Sequence, residues 1–371
     1  MASLLLLPPE ICATICGEVD RAALGVLCRI SPLLRDQAQR MLYHTVDLQD
    51  RNMRFLRSWC LAVTRHSHLA ERVHALSLQL PSNLEPSDAQ KISRALALCV
   101  NLKELTVRHE PDAPTDDSVQ TWILEACTFR LTHFVNSYFN FIDEELFIGH
   151  QPDLRLLSLP FSSSFSCTDA QLPNLTAIDA PLGVVVSLPG ARPLERIQIH
   201  CQRSEFLQGL SLLGRYASTL KTLTLVREGV EWGSSTVDIV EDIAQVLPAL
   251  LHFGINESEK LHSFFSIEES PIRGLQLFTH IETFAFRLRR GVCFWAPTET
   301  TYNVGTHAQL ATFGLAILEG CPTLRQVTVG GEPFAGHELR CTVTRVAERE
   351  DAVFDDGDAF GLDAMSKFWN P

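Results

Sequence analysis

Basic residues are in deficit in this sequence: 31 Lys and Arg stand against 44 Asp and Glu, a formal charge of −13. Nucleic-acid backbones and anionic membrane surfaces are bound through a Lys/Arg surplus, so neither is expected as the main partner, and a protein partner is favoured. Long apolar runs are missing as well. With 46% hydrophobic and 20% charged residues spread evenly, the 371 residues have the composition of a soluble globular protein rather than a membrane span. Leu4 to Leu7 have no basic segment before them and are ended by Pro8, Pro9 and Glu10, so no secretion signal is read there. There is no CxxC pair. Eleven scattered cysteines, an odd number, fit reduced thiols in the cytoplasm or nucleus better than a disulfide framework.

Signatures of catalysis are also absent. No GxSxG, GxxxxGKS/T, HExxH or GxGxxG occurs, which removes the common nucleophile, phosphate and zinc motifs. Cys12 with Cys16, and His66 with His68, offer two metal ligands apiece, and buried thiols are the simpler reading of the cysteines. Asp238, Glu241 and Asp242 read as a solvated acidic turn, and His307 as part of a helix-capping region. The expectation is a non-catalytic chain with no cofactor and no metal.

What the chain does have is a repeat. The pattern apolar, two others, apolar, one other, apolar recurs as VHALSL from Val73, LKELTV from Leu102, LTHFVN from Leu131, LRLLSL from Leu154 and LTAIDA from Leu175. It continues as LERIQI from Leu194, LKTLTL from Leu220, LLHFGI from Leu250, IETFAF from Ile281 and LRQVTV from Leu324. Successive starts lie 19 to 43 residues apart, close to the roughly 20 to 29 residues of a leucine-rich repeat. Helix-like stretches lie between copies: one from Ser87, with Ser87 as cap and Ile92, Leu96 and Val100 on one face, and others at 118–127, 205–217, 236–247 and 307–319. A doubly wound sheet also alternates strands and helices, but it does not repeat one apolar spacing inside each strand. The expected fold is therefore α/β, a curved parallel sheet with outer helices whose units bury their apolar faces by stacking.

Strand side chains alternate faces, so in LKELTVR Leu105 and Val107 point inward and Glu104, Thr106 and Arg108 outward. The same register displays His133, Ser137, Ser158, Asp179, Arg196, Gln198, His200, Thr222, Thr224, His252, Asn256, Thr283, Arg287, Gln326 and Thr328 on the concave face. The widest gap, from Ile281 to Leu324, contains Arg289, Arg290, Phe294 and Trp295 and is expected to emerge as a loop on the binding face. Arg196, His200, His252, Asn256, Arg287, Arg289, Arg290 and Trp295 are the candidate target-binding residues. Plain solvated sheet, and a loop whose Phe and Trp fold back, are the alternatives.

Ahead of the repeats, Pro8, Pro9 and Glu10 suit a helix first turn with Ile11, Ile15 and Val19 on one side, widened by Cys12 and Cys16. Leu24, Leu27 and Cys28 form a second apolar face, and Ser31-Pro32 starts a third helix with Leu34, Ala38, Met41 and Leu42. Three helices in about 40 residues are at the limit of an independent core, so a partner is expected for them. This stretch resembles an F-box in Leu7, Pro8, Glu10, Ile11, Ile15, Leu24, Leu27, Cys28 and Arg29, and its join to the repeats is similar to many fungal F-box proteins with C-terminal leucine-rich repeats. The resemblance implies a substrate receptor of a cullin-RING (SCF-type) ubiquitin ligase. In it Leu7, Pro8, Glu10, Ile11, Ile15, Leu24, Leu27 and Cys28 bind the SKP adaptor, and through it cullin, while the repeats select a target protein. The domains expected are an F-box-like element at 1–50, a linking helix at 51–72, a repeat solenoid at 73–340 and an acidic tail or cap at 341–371. The alternative is a leucine-rich-repeat scaffold outside any ligase, with the N-terminal helices as its cap.

Overall fold

Every copy of the motif forms a strand, and the first apolar residue of each, from Val73 and Leu102 to Ile281 and Leu324, is at most 3% exposed. The computed structural model of the chain describes residues 8–49, 52–109, 121–139, 147–160, 167–190, 192–202, 209–228, 236–257, 266–267, 272–288, 292–295, 300–303, 306–334, 337–346 and 349–355. Its contacts divide it into two compact units, Met1–Phe161 with Cys167–Asn174 and Leu175–Pro371 with Ser162–Ser166. The division falls inside the repeats and not between them and the helices that precede them.

The first unit opens with α1 (Pro9–Gly17), α2 (Arg21–Ile30) and α3 (Pro32–His44). Asp20 caps α2 by accepting a 2.7 Å hydrogen bond from Ala23 N, and Ser31 Oγ caps α3 by accepting from Leu34 N at 3.2 Å, with Pro32 at the first helical position. Cys12, Cys16, Leu24, Leu34 and Ala38 form the core of these helices. The face of α1 that turns inward is thus the cysteine face, and Ile11 is left 47% exposed. A short strand β1 (Thr45–Leu48) follows, then α4 (Met53–Arg65), α5 (Ser67–Ala70), β2 (Ala75–Leu80), α6 (Pro86–Leu98), β3 (Glu104–His109), β4 (His133–Asn136) and β5 (Leu156–Ser158). Each strand pairs in parallel with the one before it in the chain. That order, without crossovers, separates a repeat stack from a doubly wound sheet. α6 starts two residues earlier than expected, with Glu85 at the cap position, so Ser87 lies in its first turn; it ends at Leu98, which leaves Val100 exposed.

The second unit repeats the build with β6 (Ala177–Pro181), α7 (Leu182–Ser187), β7 (Arg196–Gln202), β8 (Thr222–Glu228), α8 (Thr236–Val246) and β9 (His252–Glu257). After β10 (Ser266–Ile267) and α9 (Ile272–Leu275) come β11 (Thr283–Leu288), β12 (Val292–Trp295), β13 (Thr300–Asn303), α10 (His307–Gly320) and β14 (Gln326–Phe334). Strands β6, β7, β8, β9, β11 and β14 are parallel neighbours. The long insertion is not a plain loop: β12 and β13 pair as an antiparallel hairpin, with β10 parallel to β12. The acidic C-terminal stretch begins as strands, β15 (His337–Val346) antiparallel to β14 and β16 (Arg349–Asp355) antiparallel to β15. The rest of the expected tail or cap, from residue 356 to 371, lies outside the described residues.

Candidate functional site

Two surfaces are candidates. On the helical head, Pro8, Glu10 and Ile11 are exposed and Ile15, Leu27 and Cys28 half-buried. Leu24, expected at the adaptor surface, is 7% exposed and packs with Cys12 and Cys16, so it supports the head from inside. Leu7 lies outside the described residues. The head also displays Val26 at 58% and Ile30 at 52% exposure. Their i, i+4 spacing on α2 was a readable sign of a shared helix face.

The second surface is the strand face opposite the core in the second unit. Register aligns three rows across β7, β8, β9, β11 and β14: Arg196, Thr222, His252, Thr283 and Gln326; then Gln198, Thr224, Gly254, Ala285 and Thr328; then His200, Val226, Asn256, Arg287 and Gly330. The alternation rule therefore assigns faces correctly. Display does not follow from it everywhere: Ser158, Asp179, Gln198, His200, Thr222 and Thr224 are all below 9% exposed. His200 is thus a buried partner and not a displayed one. Its Nε2 lies 2.8 Å from Asp179 Oδ1, and the same oxygen accepts a 3.0 Å hydrogen bond from Gln198 Nε2. Buried polar side chains on one face thus pair across β6 and β7 through the Asp179 carboxylate.

The remaining target-binding candidates gather on β9 and β11. His252 Nδ1 is 2.8 Å from Thr283 Oγ1, and Arg287 Nη1 donates to Asn256 Oδ1 at 3.4 Å, with all four side chains half-buried. Burial holds the His252 imidazole below its ordinary pKa, against the opposing pull of Glu282. A neutral imidazole, a hydroxyl, an amide and a guanidinium side by side form a hydrogen-bonding patch suited to polar recognition. Arg196 is half-buried on β7. Arg289 and Arg290 lie outside the described residues, as does the side chain of Trp295, whose backbone pairs with Thr300 and Ile267.

Cys60, Cys99 and Cys127 take no part in either surface. Burial pushes the thiols of Cys60, Cys99 and Cys127 up to about 12, which makes them poor nucleophiles. Among the described residues no group of three or more His, Cys, Asp or Glu could hold a metal ion, and no helix is long and apolar enough to cross a membrane. Arg227 at 2% and Arg192 at 5% exposure went unread in the sequence, because neither sits at a motif position.

No protein-family model matches the chain, and no curated protein matches it. Among solved structures it is similar to the leucine-rich repeat-containing protein LegL7 from Legionella pneumophila, at 11% identity and a TM-score of 0.40, over 79% of this chain and 87% of that one. The repeat assignment rests on this chain's own strand register and buried leucines.

Proposed function

We propose that the chain is a non-catalytic substrate-recognition adaptor of an SCF-type ubiquitin ligase, its F-box-like head binding the SKP adaptor and its repeats a target protein. The observation that carries this reading is the head itself: three helices with a five-residue buried core that leave Ile11, Val26 and Ile30 at 47%, 58% and 52% exposure. Apolar side chains on so small an element favour a protein contact. The hydrogen-bonding patch of His252, Asn256, Thr283 and Arg287 supports a polar target surface on the repeats. A second reading, in which the head is only the N-terminal cap of a repeat scaffold, is favoured by its ties to the first repeat. β1 pairs directly with β2, and Arg72 holds Asp36 on α3 through both its carboxylate and its carbonyl.

Replacing Pro8 and Ile11 together with Glu decides between them. Burying an apolar side chain is worth about 1.5 to 3 kcal/mol, and an unpaired charge in its place costs more. The double variant is expected to lose co-purification with the SKP adaptor while its melting temperature stays unchanged, since both residues are exposed. Undiminished co-purification, or none with the parent chain, removes the ligase reading and leaves the scaffold.

A further inference from the structure

Where α3 meets the turn before β2, the first unit holds a cleft of about 350 Å³ lined by Asp36, Arg40, His44, Glu71, Arg72 and His74. Every one of the six can carry charge, and the volume lies within the range of small-ligand sites. Asp36, Arg40 and His44 recur every four residues along one face of α3. With neutral imidazoles the two guanidiniums and two carboxylates cancel, and one pair is already spent: Arg72 Nη2 donates to Asp36 Oδ1. Arg40 is left without a hydrogen-bond or ion-pair partner among the described residues. The rings of His44 and His74 lie 4.5 Å apart, centroid to centroid. His74 Nδ1 is 2.9 Å from the Arg72 carbonyl, which only accepts, so Nδ1 holds the proton and Nε2 is where the ring takes up a second one.

Protonating both rings would set two like charges side by side in the cleft, with Glu71 as the only uncommitted carboxylate of the lining. An anion seated between them and Arg40 turns that repulsion into attraction, so proton uptake and anion binding must strengthen each other. We propose that this cleft binds a tetrahedral dianion of the phosphate class, held by Arg40, His44 and His74 and taken up together with protons. The site is separate from the strand-face patch and does not depend on what the repeats bind.

Sulfate is the probe, because it remains a dianion across the range in which imidazole titrates, so any change of affinity with pH belongs to the protein. Calorimetric titration of the full chain at about pH 5.5 and about pH 8 is expected to show sulfate binding at least about tenfold tighter at the acid end. That is the effect of one pKa unit of coupling. Arg40→Gln, a change at an exposed position, should weaken binding at both pH values. His44→Gln should reduce the pH dependence. Equal affinity at the two pH values, an Arg40→Gln protein that binds like the parent, or no saturable binding at millimolar sulfate each overturns the proposal. Parallel titrations with inorganic phosphate and a phosphoserine peptide tell the source: tighter peptide binding marks a modified protein chain as the ligand, and tighter phosphate a free effector.

Discussion

Arg57 on α4 and Asp88 on α6 meet across 31 residues, where Arg57 Nε donates to both carboxylate oxygens at 3.0 and 2.9 Å, Arg57 Nη2 donates to Oδ2, and Lys91 Nζ adds a third donor at 2.9 Å. The Arg57 hydrogen bonds hold the Asp88 carboxyl below the usual carboxylate range, against desolvation and with help from Lys91. A carboxyl lowered on folding stabilises the fold above its unfolded pKa, about 3.9, and loses that contribution as pH falls through the folded value. Asp88→Asn should therefore cost about 1 to 3 kcal/mol near neutrality. Its stability should fall less than the parent's below about pH 4, as thermal melts across pH would record. Parallel slopes would mean that the pair is not the acid-sensitive element. Nothing in the sequence announced this carboxylate, because its main partner, Arg57, comes from the helix ahead of the repeats. Asn136 shows the reverse. It takes the last apolar slot of LTHFVN, yet it points inward at 3% exposure, accepts from Tyr138 N and Phe139 N, and donates to the Phe139 carbonyl. The apolar slot is filled by an amide that pairs the turn's own backbone.

At the level of elements, α10 shows how closely a returning helix packs on its sheet. A Cβ at Gly314 would stand 2.9 Å from Val343 Cγ2, on β15, and 3.6 Å from Val329 Cγ2, on β14. Glycine inside a helix costs about 1 kcal/mol relative to alanine, and overpacking costs about 1 to 3. Gly314→Ala is thus expected to destabilise, because a β-branched side chain held in a sheet has few rotamers to retreat into. In a Val343→Ala background the same change should stabilise, and a chemical denaturation cycle that shows no change of sign would refute the packing argument. Helices α8 and α10 were legible because each is long enough to show its period. Between 118 and 127 the described residues hold one 3-10 turn, Thr121–Leu124, and between 205 and 217 the helical residues Gly209 and Leu210 followed by the 3-10 turn Ser211–Tyr216. A single turn has too few residues to reveal a period. β1 was missed for the same reason: of its four residues only Val46 is buried.

On the scale of the molecule, ten strands were readable because stacking demands the same leucine from each repeat, whereas exposure on the opposite face depends on neighbours that no local pattern encodes. That is why His200 was placed on the correct face and given the wrong surroundings. The end of the parallel run was legible only in part. β15 and β16 reverse direction and finish the sheet with a strand carrying Glu350, Asp351 and Asp355, charges that discourage pairing with another edge. Removing residues 349 to 371 should lower the melting temperature and increase aggregation on light scattering. A truncated chain that melts and scatters like the full one would show that the final strand is dispensable.

Within the parallel runs every strand pairs with one made earlier in the chain. A ribosome releases protein from the N-terminus, so each new strand emerges to find an edge already laid down for it, and little chain has to wait unpaired for a later segment. The cost is that the growing protein presents an open edge throughout its synthesis. In the second unit that period closes only when Arg349–Asp355 has left the exit tunnel, so the interval between the emergence of β14 and of β16 is when the nascent chain is most open to pairing with the wrong strand.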